Sequence, residues 1–140
     1  AAAQFQRIIE AQGGNPAVVD DPALLPQAAE CEFFAAPRSG FVAQIEPRAI
    51  GFGITQLGGG RTRVADTVDP SVGFVITTNP GDWVEAGEPL ATIFARDARG
   101  VSDGRVCLAG AITIADAAEP PLPLISHRVS ASGVERYPSE

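Results

Sequence analysis

The chain reads as an α+β domain in which mostly antiparallel strands outnumber two or three helices. Short β-like runs at 31–36, 40–45, 72–77 and 90–95 are set off by Gly, Pro, Asn and Asp turns, the punctuation of a sheet built by reversals. Two other stretches carry apolar residues at helical spacing: Ile50, Ile54 and Leu57 in one, Leu108, Ile112 and Ala115 in the other. With 140 residues, 45% of them hydrophobic, and a mean hydropathy of +0.10, there is material for one domain with a real core.

Residues 1–16 lead in with a helix whose apolar stripe is Phe5, Ile8 and Ile9, and Gly13-Gly14-Asn15-Pro16 stops it. So small a stripe is expected to dock on something. Residues 17–30 read as a surface connector, punctuated by Asp20, Asp21, Pro22 and Pro26. The body, 31–130, begins with strands at 31–36 and 40–45 around a turn at 37–40. Pro47 stands at a start position for a helix that runs through Leu57. Gly51 and Gly53 weaken that helix, and close packing on a sheet is the expected reason. Gly58-Gly59-Gly60 ends it, with at least one of the three expected at positive φ.

Further strands are expected at 61–65, 72–77, Val84 and 90–95, with turns at 66–70 and 79–82. A longer helix is expected over 102–118, with Ser102 as N-cap, Asp103 in the first turn, and Cys107, Ala111 and Ile114 beside the Leu108 stripe. Pro120-Pro121 stops it, 122–129 returns as a strand, and 131–140 is a polar tail expected to fray. No internal repeat or low-complexity tract is visible.

Composition excludes several classes. A formal net charge of −7 works against a nucleic-acid surface. No window approaches the ~18 uninterrupted apolar residues of a membrane span. Ala1-Ala2-Ala3-Gln4-Phe5 lacks the basic region of a secretory signal. Cys31 and Cys107 are too few for a disulfide scaffold, so a reduced cytoplasmic protein is expected. The basic residues are all arginine; the absence of lysine and methionine reads as coding bias.

No catalytic, cofactor-binding or metal-ligating residue stands out. The stretch from Gly51 to Arg61 has glutamine at Gln56, where a dinucleotide fingerprint needs glycine, and it lacks the lysine and hydroxyl of a P-loop. It reads as a helix end and tight turn, or as backbone N–H groups holding an anion beside Arg61. His127 is alone, without a marked nucleophile or orienting acid. His127, Cys31 and Cys107 are scattered singly, unlike metal ligands. Asp66 and Asp69, around Thr67-Val68 and before Pro70, read as turn residues.

Gly81-Asp82-Trp83-Val84 followed by Gly87 and Leu90 predicts two short strands joined by a glycine turn, a hairpin. The pattern GD-x-V-x-x-G-x-x-L resembles the hammerhead of biotinyl and lipoyl carrier domains. A carrier arm hangs on a lysine amine, for which a guanidinium is no substitute. The carrier reading fails on chemistry and survives only as fold.

The order of motifs goes further. Glu10-Ala11-Gln12-Gly13-Gly14, Leu25-Pro26, Ser39-Gly40-Phe41-Val42, Arg48-Ala49-Ile50-Gly51 and Leu57-Gly58-Gly59-Gly60-Arg61 come first. Asp66-Thr67-Val68-Asp69, Val72-Gly73, Gly81-Asp82-Trp83-Val84, Pro89-Leu90-Ala91 and Ile114-Ala115-Asp116 follow, the last expected in a helix. In that order they resemble the C-terminal portion of thymidine phosphorylase and related pyrimidine-nucleoside phosphorylases, from about Phe5 to Val129.

The resemblance implies an α/β-hammerhead, barrel-sandwich-hybrid-like domain belonging to a longer enzyme, preceded by a helical and an α/β domain. It implies reversible phosphorolysis of thymidine to thymine and 2-deoxyribose 1-phosphate, with phosphate as co-substrate, and a homodimer formed through the helical domain. The family's substrate-binding motifs lie in the earlier domains and map onto no position here. The chain alone is therefore expected to be inactive. Its expected role is packing on the catalytic lobe through Phe5, Ile8 and Ile9 and through Gly58, Gly59, Gly60 and Arg61. Two other readings stand beside this one: a carrier relative without its attachment lysine, and a free-standing barrel-sandwich interaction domain.

Overall fold

Short strands separated by glycine turns pair by reversing direction, and every strand pair among the described residues is antiparallel. The computed structural model describes residues 1–118 and 125–137. Helix α1 (Ala2–Ala11) comes first, then two 3-10 turns, Pro16–Val19 and Pro22–Leu24, whose first amides are capped by the side chains of Asn15 and Asp21. Strands β1 (Glu30–Ala35) and β2 (Gly40–Ile45) precede helix α2 (Pro47–Ile54), which widens into a π-type turn, Thr55–Gly59. Then come β3 (Gly73–Ile76), β4 (Trp83–Val84), β5 (Pro89–Ala95), α3 (Ala98–Ala111) and β6 (Ile112–Ala115). A terminal hairpin, β7 (His127–Ser130) with β8 (Gly133–Arg136), completes the described elements. The α+β class is as expected.

Two three-stranded sheets carry the domain, in the orders β1-β5-β3 and β4-β2-β6. In the first, Ile93 stands between Glu32 and Phe74, and its face is covered by α3. Glycines let that helix approach closely. A Cβ on Gly104 would lie 2.8 Å from the Ile93 side chain, and one on Gly100 would lie 3.0 Å from Ala95. Arg105 adds an ion pair from α3 to Glu32 on β1. Leu90, Ile93, Leu108 and Val42 are fully buried in one core that joins both sheets to α3.

Several expectations are corrected. Residues 83–93 form no hairpin: β4 pairs with β2, and β5 with β1 and β3. The intervening turn, with Gly87 at φ 86°, instead bonds Ala36. The Ala36 amide donates to the Glu88 carbonyl and the Gly87 amide to the Ala36 carbonyl. No strand forms at 61–65, because the amides of Thr62 and Arg63 are taken by the Asp66 carboxylate and cannot join a ladder. The long helix starts at Asp97, whose carboxylate caps the Gly100 amide, so Ser102 lies inside it. It stops at Ala111, and Ile112–Ala115, including Ile114, is strand β6 paired with β2. β-Branched residues at Ile112, Thr113 and Ile114 favour the pleated surface over another helical turn. Residues 133–136, expected to fray, form β8. The strand expected over 122–129 lies partly outside the described residues, and its described part holds β7.

Of Gly51 and Gly53, both expected to pack closely on a sheet, Gly53 meets both a sheet and a helix, and the expectation fails for Gly51. A Cβ on Gly53 would collide with Cys107 Sγ on α3 and lie 3.1 Å from Phe74 on β3, whereas one on Gly51 would meet open space. Gly53→Ala is therefore expected to destabilise by about 1–3 kcal/mol through overpacking, although alanine is the better helix former. Gly51→Ala should stabilise by about 0.5–1 kcal/mol. Urea denaturation of the two variants checks this, and equal effects would refute the contact as the reason for Gly53.

Candidate functional site

The residues singled out by sequence fall in two places. The first is the glycine elbow that closes the helical run after α2. Leu57 is buried there, and Gly58 turns the backbone into the left-handed region at φ 98°, as expected of at least one of the three glycines. Gly59 and Gly60 are tight for a different reason. A Cβ on either would press on Ile54 (2.7 Å) or Thr55 Oγ1 (2.6 Å) of the preceding turn.

Beyond the elbow the chain makes a loop stapled by its own carboxylates. Asp66 Oδ2 accepts from the amides of Thr62 (3.0 Å) and Arg63 (2.8 Å) and from the Thr62 hydroxyl (2.7 Å). Asp69 Oδ1 accepts from the Ser71 hydroxyl (2.6 Å) and amide (2.9 Å), and Oδ2 from Arg96 Nε (2.5 Å). The Asp69 amide donates to the Gly58 carbonyl (2.9 Å), so the loop ends where it began. Both aspartates are turn residues, as their sequence context indicates. The Thr62 hydroxyl and the amides of Arg63 and Thr62 lower the Asp66 pKa. The Ser71 hydroxyl, Arg96 and the Ser71 amide hold that of Asp69 down to about 2. An external anion at this loop would compete with carboxylates already bonded to its amides, which weighs against the anion reading. Arg61 is exposed and forms no ion pair among the described residues; the loop tip, Val64, is 96% exposed.

The second place is α1. None of its residues is buried; Phe5 is 55% and Ile8 44% exposed, while Ile9 is half-buried beside Gly14. The helix packs on the Pro16–Val19 turn, with Gln6 donating to Asp20 at 3.0 Å. The elbow is instead bound to Asp69 and overlain by Arg96, so the two groups are held by different parts of the chain.

The other residues considered from sequence lie apart. His127 and Cys31 are exposed on β7 and β1. Cys107 sits between α3 and α2, its thiol donating to the Ala49 carbonyl at 3.5 Å, and desolvation pushes its pKa up. Sequence reasoning missed Arg96, whose partner becomes a neighbour only on folding. It also missed two exposed apolar features of the sheets. Phe33 (66% exposed) and Val75 (52%) flank Thr92 on the face of their sheet away from Ile93, and Trp83 stacks edge-on against Phe41 at 4.9 Å. Among the described residues no helix is long and apolar enough to cross a membrane.

The family model described as the pyrimidine nucleoside phosphorylase C-terminal domain matches residues 41–115, from β2 to the end of β6. The matched span contains the elbow, its loop and Arg96, and lies outside α1.

The lowered carboxylate pKa values fix the sign of a pH dependence. A carboxyl whose pKa is depressed by folding stabilises above its unfolded value, near ~4, and that contribution is lost as the pH falls through the folded value. For Asp69 the window runs down to about 2. Asp69→Asn should therefore be less stable than the parent at pH 7 and should lose less stability between pH ~5 and ~2. Urea midpoints across that range check this; parallel curves would contradict it.

Proposed function

The chain belongs to the pyrimidine nucleoside phosphorylase C-terminal domain family, and from that premise we propose that it is the packing domain of a thymidine phosphorylase-type enzyme. The enzymes for which the family is named are transferases. The reaction we assign to the whole enzyme is phosphate-dependent cleavage of thymidine to thymine and 2-deoxyribose 1-phosphate, a pyrimidine-salvage step in the cytoplasm. In this reading the enzyme is a homodimer through an upstream helical domain. Phosphate and nucleoside bind in upstream domains, and the present chain alone does not turn over.

The observation that carries the reading is the family match over more than half of the chain. Two features support a packing role. The chain has no lysine to offer a phosphate or a base, and its formal charge of −7 repels an anionic substrate. The α1 face is apolar and uncovered, with Phe5 and Ile8 both exposed. Phosphorolysis between two lobes requires closure that excludes water from the reacting centre. A rigid domain seated on one lobe would make that lobe move as a unit. The contacts proposed are the α1 face (Phe5, Ile8, Ile9) and the elbow with Arg61.

Ile8→Asp in the full-length enzyme places a carboxylate in that contact. Burying it unpaired should cost about 1–3 kcal/mol and lower both the thermal midpoint and kcat. Thermal unfolding with steady-state phosphorolysis of thymidine provides the check. A variant matching the parent in both would remove α1 from the interdomain contact.

A further inference from the structure

We infer that Arg96 is a positioning residue, the latch that fixes the 60–69 loop to the body of the domain by clamping Asp69 across the Gly58 turn. The latch is a property of the fold. Its consequence for phosphorolysis rests on the interdomain role proposed above for the elbow and Arg61.

Four observations carry it. Arg96 occupies the two-residue junction between β5 and α3. On one side Ala95 is fully buried, and on the other Asp97 caps α3 by accepting from the Gly100 amide at 2.8 Å. The backbone of Arg96 is thus held by two packed elements, while its side chain reaches out over a loop that has little packing of its own. The guanidinium lies directly over Gly58: a Cβ at that position would come within 2.9 Å of Arg96 Cζ and Nη2. Glycine here serves the left-handed turn and also leaves room for the clamp.

The clamped carboxylate closes the loop. Asp69 binds Arg96 Nε through one oxygen and Ser71 through the other, while its amide returns to the Gly58 carbonyl. Among the described residues, the far end of the loop is tied to itself, through Asp66. Nothing else described at the tip fixes its direction, since Val64 is almost wholly exposed. A loop stapled at its tip and hinged at its base moves as one piece. Arg96 sets the angle of that piece and, with it, where Arg61 and Arg63 point.

The loop carries its own reporter, because trypsin cleaves after arginine and Arg61 and Arg63 flank Thr62. In Arg96→Gln, cleavage after these two residues, sited by mass spectrometry, should accelerate about two- to five-fold relative to the parent. That is the population shift expected when an ion pair holding an open–closed equilibrium is lost. Asp69→Asn should accelerate it similarly, and the double variant should do so no more than either single one, because both changes break the same pair. Arg96→Lys, which keeps a point charge without the planar fork, should fall between parent and Arg96→Gln. Arg99→Gln removes a neighbouring charge that pairs with Asp103 and should leave the loop as resistant as the parent.

Circular-dichroism melts separate local release from global unfolding. Unchanged loop cleavage in Arg96→Gln, or acceleration by Arg99→Gln to the same degree, would overturn the latch. In the full-length enzyme, Arg96→Gln should lower kcat for thymidine phosphorolysis, as expected when the contact that makes the lobe move as a unit is loosened. A released loop with unchanged kinetics would uphold the latch and overturn the interdomain role of the elbow instead.

Discussion

The structure depends on two chain crossings that hydrogen-bond to each other. From β1 to β6 every connection passes from one of these two sheets to the other, and the two that bond to each other are β1–β2 and β4–β5. At these corners the Ala36 amide donates to Glu88 O (2.8 Å), the Gly87 amide to Ala36 O (2.9 Å) and the Ala86 amide to Ser39 Oγ (2.9 Å). Ala36 is buried, so these backbone groups need partners inside the protein. Arg38, between the crossings and β6, adds bonds of 2.6 Å to both the Ile114 carbonyl and Asp116, securing the far strand of the second sheet. With the crossings fixed, Val42, Leu90 and Ile93 point into one core.

The core then dictates where α3 lies, and α3 dictates the elbow. Glycines at 100 and 104 bring the helix onto Ala95 and Ile93, and Gly53 brings α2 against the other side at Cys107. This brings the π-type turn after α2, through Leu57, beside the start of α3, where Arg96 can reach across Gly58 to Asp69. The elbow and its loop are thereby tied to the elements that form the buried core. The apolar face of α1 is not, for its neighbours are the exposed turn at Pro16–Val19 and Asp20.

What was legible in the sequence was local. Pro47 at the start of α2, a left-handed glycine among 58–60 and the turn character of Asp66 and Asp69 follow from residue chemistry within a few positions. The order of such signals also carried the family relationship, since their spacing reflects one arrangement of elements. What failed depended on distant partners. The glycine turn at 87 looks like a hairpin until Ala36 takes its hydrogen bonds. Ile112 and Ile114 continue a helical stripe on paper, yet β2 offers them a ladder in which Ile112 is buried. Arg96 has no signal at all, because its role exists only once Asp69 and Gly58 have been brought beneath it.

The account of the chain as a packing domain stands on α1 more than on any other element. A helix of 10 residues with no buried side chain has little beyond its own backbone bonds to hold it in isolation. Seated on a catalytic lobe it would gain the burial it lacks. Amide hydrogen exchange of residues 5–12, compared between this chain alone and the full-length enzyme, tests this most directly. The account predicts fast exchange in the isolated chain and protection of ~100-fold or more in the enzyme, with β5 equally slow in both, the order expected once a frayed helix is held by packing. Equal exchange of α1 in the two would contradict it.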